Sequence, residues 1–219
     1  MSTSRDVTVP VRDAELPGVL VLPAAPRGVV LFAHGSGSGR FSPRNRQVAD
    51  AFHRAGFGTL LMDLLTEAEE VVDARTRHLR FDVGLLAGRL TAAADWLGDA
   101  ADAAGLPLAT FGASTGAAAA LITAADRPDR VRAVVSRGGR PDLAGSALEQ
   151  VRAPTLLVVG GADEPVVRLN AEAAGRLACE HRLVVVPGAT HLFPEPGALG
   201  AVIDASVDWL DRWLPRTSS

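Results

Sequence analysis

Residues 106–120 read LPLATFGASTGAAAA, and this stretch decides the fold. Residues 106–111 form an apolar run of strand character. Gly112-Ala113-Ser114-Thr115-Gly116 then matches G-x-S-x-G, and residues 116–125 continue as a helix of small residues. A serine on a sharp turn between a strand and a helix is the setting of a nucleophile elbow. The turn tolerates little side chain beside the serine, which is what Gly112 and Gly116 supply. The helix start also brings partial positive charge to where an oxyanion would form. The bare pattern would equally fit a tight turn with an incidental serine. The strand before it and the helix after it favour the chemical reading.

A serine nucleophile needs a base, and the base needs an acid to orient it. With an elbow of this kind the expected chain order is serine, then acid, then histidine, each on a loop that follows a strand. Residues 155–160 (TLLVVG) form an apolar strand, followed by Gly161-Ala162-Asp163. Residues 183–186 form the next strand, followed by Pro187-Gly188-Ala189-Thr190-His191. Asp163 and His191 are therefore the expected acid and base. Glu164 competes with Asp163, but it comes second off the strand and precedes the rigid Pro165. A helix cap or turn is the structural alternative for Asp163. His181 competes with His191, but falls in a predicted polar helix end. His34-Gly35-Ser36 follows another apolar strand, 28–33, and has the form of an oxyanion loop. The backbone N–H groups of Ser36 and Thr115 are the expected donors, unless the glycines merely make a turn.

The remaining pattern alternates strands with helices. Strands are expected at 7–11, 18–22, 58–62 and 131–136, and helices at 44–55, 85–97, 168–178 and 199–213. Residues 63–82 are polar and read as a loop with some helix. Alternation of this kind predicts an α/β class protein with a mostly parallel, doubly wound sheet and helices on both faces. A single domain over residues 1–219 is expected. Composition narrows the chemistry. All 22 basic residues are arginine, so lysine Schiff bases and a P-loop lysine are excluded. The five histidines show no close-spaced ligand pair, and the lone Cys179 permits neither CxxC nor an internal disulfide, so neither metal nor cofactor is expected. A net charge of −3 gives no reason to expect nucleic acid. No signal peptide or membrane span is read, and a cytoplasmic protein is expected. Oligomeric state is not legible.

The segments GVVLFAHGSGSGR (28–40), FGASTGAAAA (111–120), TLLVVGGADEPV (155–166) and VPGATHLF (186–193) resemble the dienelactone hydrolase family of α/β-hydrolases over nearly the whole chain. SPRNR, LRFD, SRGGRPDL and PGATHLF are similar to a bacterial branch in which some members are fused to a phosphoribosyltransferase domain. The resemblance implies the α/β-hydrolase fold and the triad Ser114, Asp163 and His191. It departs at the nucleophile, because dienelactone hydrolase itself uses cysteine. Serine points toward hydrolysis of a small carboxylic ester through an acyl-enzyme. The same three residues would also serve an acyltransferase, thioesterase or perhydrolase, and a hydrolase fold can persist as a non-catalytic ligand receptor.

Only residues 137–154 separate the strand ending at Ser136 from the strand starting at Thr155, which leaves little chain for a lid. Arginines also collect where strands should end. Arg137 and Arg140 follow the strand 131–136, Arg40 follows the oxyanion loop with Arg44 and Arg46 close behind, and Arg80 lies on the polar segment. Arg137, Arg140, Arg80 and Arg40 are the expected contacts to an anionic substrate, which the family resemblance also implies. Pairing with local acids such as Glu67, Glu69, Glu70 and Asp142 is the alternative.

Overall fold

The computed structural model describes residues 2–214. Their organising element is an eight-stranded sheet: β1 Thr3–Pro10, β2 Glu15–Leu22, β3 Val29–Ala33, β4 Gly58–Met62, β5 Leu108–Ala113, β6 Val131–Arg137, β7 Thr155–Gly160 and β8 His181–Val186. The spatial order is β1-β2-β4-β3-β5-β6-β7-β8. β1 and β2 run antiparallel to their neighbours, and the rest of the sheet is parallel. The central strands β3, β4, β5 and β7 are buried throughout, which is why they read as unbroken apolar runs.

Six helices cover the two faces: α1 Pro43–Arg54, α2 Glu67–Thr76, α3 Val83–Asp99, α4 Gly116–Asp126, α5 Glu164–Ala174 and α6 Ala198–Trp213. Because strand side chains alternate, the sheet divides its apolar residues between two cores. Val30, Phe32, Phe111, Val135 and Val158 pack with Phe52 of α1 and Trp209 and Leu210 of α6. Val29, Leu31, Leu60, Leu108 and Val134 pack with Leu90 of α3 and Leu121 of α4. Phe32 and Phe111 sit with ring centroids 4.8 Å apart, and Phe52 meets Phe111 edge-on at 5.9 Å. Trp209 and Trp213 lie one turn apart on α6, centroids at 6.0 Å. No helix among the described residues is long and apolar enough to cross a membrane.

Several elements differ from the sequence reading. β1 and β2 are longer than expected because they pair with each other along their full length. α5 begins at Glu164, four residues earlier than the 168–178 expectation, with Pro165 in its first turn. Residues 141–150 form 3-10 turns around Gly145 and pack on α4 and α5. The hard-to-read segment 63–82 contains α2, which opens with a reciprocal capping box between Thr66 and Glu69.

That helix is held by charge. Its outward Val71 and Val72 are exposed. Glu69 instead points inward and meets Arg89 of α3 through two hydrogen bonds of 2.7 Å, and Arg89 also reaches Asp13 at 2.8 Å. Arg89 is 2% exposed and donates to Leu64 O as well. These hydrogen bonds from Arg89 hold the Glu69 carboxyl down at about 2, below its ordinary value of 4.5. The carboxylate is more acidic folded than unfolded, so its contribution is complete above about pH 4.5 and is lost as pH falls toward 2. The expected loss is on the order of 1–2 kcal/mol, since solvent at this partly exposed group weakens the full effect. Urea unfolding from pH 6 to pH 2.5 should show it, and Glu69→Gln should be less stable at pH 6 with a flatter acid limb.

Candidate active site

Ser114 lies at the sharp turn between β5 and α4 with φ +51°, in the left-handed region that a non-glycine residue seldom occupies. Backbone contacts on both sides hold it there. Its N–H donates to Arg137 O at 3.2 Å, and its own carbonyl accepts from Arg140 N–H at 3.0 Å and Ala117 N–H at 3.1 Å. A Cβ on Gly112 would strike the Ala117 backbone, and one on Gly116 would strike the carbonyl oxygens of Ala33 and His34. Only glycine lets α4 approach the ends of β3 and β5 this closely.

The histidine and the acid arrive from the neighbouring strand ends. His191 Nε2 lies 3.2 Å from Ser114 Oγ, and His191 Nδ1 lies 2.7 Å from Asp163 Oδ2. The loops that carry them are tied together: Gly161 N–H donates to Val186 O and Ala162 N–H to Ala189 O. Gly160 permits this, because a Cβ there would meet the carbonyls of Ala189 and Thr190. Asp163 precedes α5 yet makes no capping bond, so its carboxylate is free for the imidazole. The Asp163 side chain is 17% exposed. Glu164 is 80% exposed and lies 3.9 Å from Arg168. His181 begins β8, not a helix end, and its ring contacts Cys179 O. Cys179 itself is half-buried, with Sγ 3.8 Å from Thr155 Oγ1 at the amino end of β7.

The loop after β3 is shaped by His34. Its Nδ1 is 3.0 Å from Gly35 O and its Nε2 accepts Leu64 N–H at 3.0 Å, which assigns the ring proton to Nδ1. Gly35 brings the loop against the elbow, where an added Cβ would lie 3.2 Å from Ser114 Cβ. The Ser36 N–H, an expected oxyanion donor, donates to Thr115 Oγ1 at 3.1 Å. That hydroxyl therefore holds the amide beside the elbow.

Ser36, Ser114, His191 and Arg137 share a cleft of about 180 Å3 whose walls include Ser38, Ser42, Arg44 and Leu192. Of the four arginines expected there, only Arg137 is present. Arg40 pairs with Asp63, Arg80 pairs with the buried Asp73, and Arg140 forms a two-pronged pair with Asp142 at 2.7 and 2.8 Å. Each of these three is drawn to a nearby carboxylate and does not line the cleft. Arg44 takes a place that the expected site set did not give it. Ser42 followed by Pro43 is a helix-start signal that puts Arg44 in the first turn of α1, pointing back toward the cleft. A larger hollow of about 260 Å3, walled by Arg40, Phe41, Asp50 and His53, lies over β2 and β4 and contains none of Ser114, Asp163 and His191.

A mostly parallel eight-stranded sheet, with serine, acid and histidine after β5, β7 and β8, defines an α/β-hydrolase fold. The chain belongs to the dienelactone hydrolase family, whose model matches residues 16–214. It is similar to a dienelactone hydrolase from Anabaena variabilis, with 56% identity, a TM-score of 0.95, and coverage of 97% of this chain and 98% of that one. It is 55% identical over 207 residues to a Mycobacterium tuberculosis protein whose name provisionally makes it a phosphoribosyl transferase. That match covers 94% of this chain but 46% of the relative, so the chain spans about half the length of such relatives. Est1E from Butyrivibrio proteoclasticus shares the fold at 15% identity and TM-score 0.79, over 96% of this chain and 99% of that one.

Burial is the main cause that holds His34 below its ordinary value of 6.5. The folded protein therefore keeps this ring neutral where the unfolded chain takes up a proton, and stability falls as pH drops below about 6.5. NMR titration of the ring nitrogens should find His34 titrating below the ordinary value of 6.5.

Proposed function

We propose that this protein hydrolyses small carboxylic esters through an acyl-enzyme on Ser114. The observation that carries the reading is the continuous relay from Ser114 Oγ to His191 at 3.2 Å and on to Asp163 at 2.7 Å, with the serine on a strained elbow. In the first half-reaction Ser114 Oγ attacks the ester carbonyl and His191 Nε2 takes its proton. Asp163 orients the ring through Nδ1 and stabilises the imidazolium. The Thr115 and Ser36 N–H groups receive the oxyanion, the latter released from the Thr115 hydroxyl. Collapse of the intermediate expels the alcohol, protonated by His191. Water, deprotonated by the same ring, then attacks the acyl carbonyl and releases the acid. The family membership and the 56% identity to the Anabaena variabilis dienelactone hydrolase support hydrolysis as the reaction class.

Ser114→Ala should lose about 10⁴–10⁶ in kcat on a chromogenic short-chain ester while remaining folded. Near-wild-type turnover by that variant would remove Ser114 from the mechanism. Asp163→Asn should lower kcat about 10³–10⁴-fold, with Glu164→Gln close to wild type. The opposite ranking would make Glu164 the acid.

Short acyl groups should be preferred. The segment between β6 and β7 folds down onto α4 and α5, and none of its residues lines the cleft, which Arg137 reaches from the end of β6. Leu192, 44% exposed, is the one large apolar side chain in the cleft wall. A longer chain thus finds little surface to bury against, each buried CH2 being worth about 0.8 kcal/mol elsewhere. Values of kcat/KM on acyl chains from acetyl to dodecanoyl should peak among the shortest, and a steady rise toward dodecanoyl would refute this account.

A further inference from the structure

The cleft holds more positive charge than acyl transfer uses. Arg137 is 5% exposed, its Nε meets no acceptor, and its recorded side-chain partner is the neutral Asn45 Oδ1 at 3.1 Å. Arg44 lines the same cleft with its own Nε buried and without an acceptor. Burial, reinforced by the like charge of Arg44, lowers the Arg137 guanidinium to about 10, so it remains protonated at neutral pH. Among the described residues no aspartate or glutamate lines the cleft. A buried cation without a counter-ion is disfavoured, and a second cation beside it adds repulsion. Such a pair is relieved when an anion lies between them.

The wall that joins these arginines is the first turn of α1, where Ser42 is the N-cap and Asn45 braces Arg137. This helix of 12 residues has no acidic residue in its first turn, so the positive end of its dipole is not offset. The hydroxyl residues Ser38 and Ser42 face the same space. Two guanidiniums, a helix N-terminus and two hydroxyls offer more donors and charge than the two oxygens of a single carboxylate can engage. They match the three terminal oxygens and nearly double charge of a phosphate monoester.

We propose that this end of the cleft binds a phosphoryl group, and that the substrate is a small ester or lactone carrying one. The proposal rests on the ester-hydrolysis reading for its substrate and on the arginine geometry for its binding site. Arg137 is the register partner of Ala113, next to Ser114, so the phosphoryl group sits a few bonds from the carbonyl under attack. It is held there and not transferred.

Calorimetric titration of the intact protein with inorganic phosphate, and with acetate for comparison, tests the site without any turnover. Wild type and Ser114→Ala should both bind phosphate at least tenfold more tightly than acetate, and Arg44→Gln should weaken phosphate binding about tenfold or more. Arg44→Gln is the first variant because Arg137 is buried and its removal threatens folding. Equal binding of phosphate and acetate, or an unchanged affinity in Arg44→Gln, overturns the site. The second arm compares kcat/KM on paired esters that differ only in a phosphate monoester against a hydroxyl. Wild type should favour the phosphorylated ester at least tenfold, and Arg44→Gln should cut that ratio about tenfold. Equal turnover of the two esters with phosphate binding intact overturns the substrate assignment. No turnover of either, again with phosphate bound, defeats ester hydrolysis itself while supporting the anion site.

Discussion

The close approach of α4 to the ends of β3 and β5 is the constraint on which the rest of the structure depends. It exists because Gly112 and Gly116 have no side chains where a methyl group would strike backbone. Once α4 is seated, the chain between β5 and α4 has to turn sharply, and Ser114 takes its left-handed conformation. The same seating brings the loop after β3 against the elbow and lets Ser36 reach Thr115. Repair of the exposed backbone then falls to β6, whose continuation clamps Ser114 through Arg137 O and Arg140 N–H. The geometry of the cleft is in this sense a consequence of packing, set before any side chain with chemistry is considered.

The sequence was most legible where backbone constraint and composition coincide. Buried parallel strands must be apolar on both faces, so β3, β4, β5 and β7 announced themselves, and the loops after β3, β5, β7 and β8 could be placed in order. It was least legible where a segment is fixed by partners far away in the chain. The α2 helix shows a weak apolar pattern because a charge cluster with Arg89 and Asp13 secures it, and neither partner is near in sequence. Two signals did lie in the sequence, the Thr66 and Glu69 capping box of α2 and Pro165 in the first turn of α5, but the expectations of a mainly looped 63–82 and of a helix from 168 used neither.

The arginines show the limit of reading position without partners. Arg137, Arg140 and Arg40 were expected at the cleft because they follow strands and Arg80 because it lies on the polar segment, and position alone gave no means of separating them. The separation comes from the acids. Arg140 has Asp142 two residues away, whereas the acids that hold Arg80 and Arg40, Asp73 and Asp63, come from other turns. Arg137 finds only the neutral Asn45 as a side-chain hydrogen-bond partner, and Arg44 stands beside it in the cleft with its Nε unpaired. In a chain with no lysine, guanidinium groups serve both as structural fasteners and as the free cations of a site, and only the fold sorts one use from the other.

The position of Cys179 bears on a different property. The lone thiol sits at the amino end of β7, the opposite end of the sheet from the cleft, and burial raises its pKa. Among the described residues no sulfur atom lines the cleft. Peroxide attacks exposed thiolates first, and a hydroxyl nucleophile has no counterpart to the sulfenic and sulfinic acids that silence a cysteine enzyme. With Ser114 as the proposed nucleophile, the cleft would tolerate an oxidising excursion that disables the same architecture built around a thiolate.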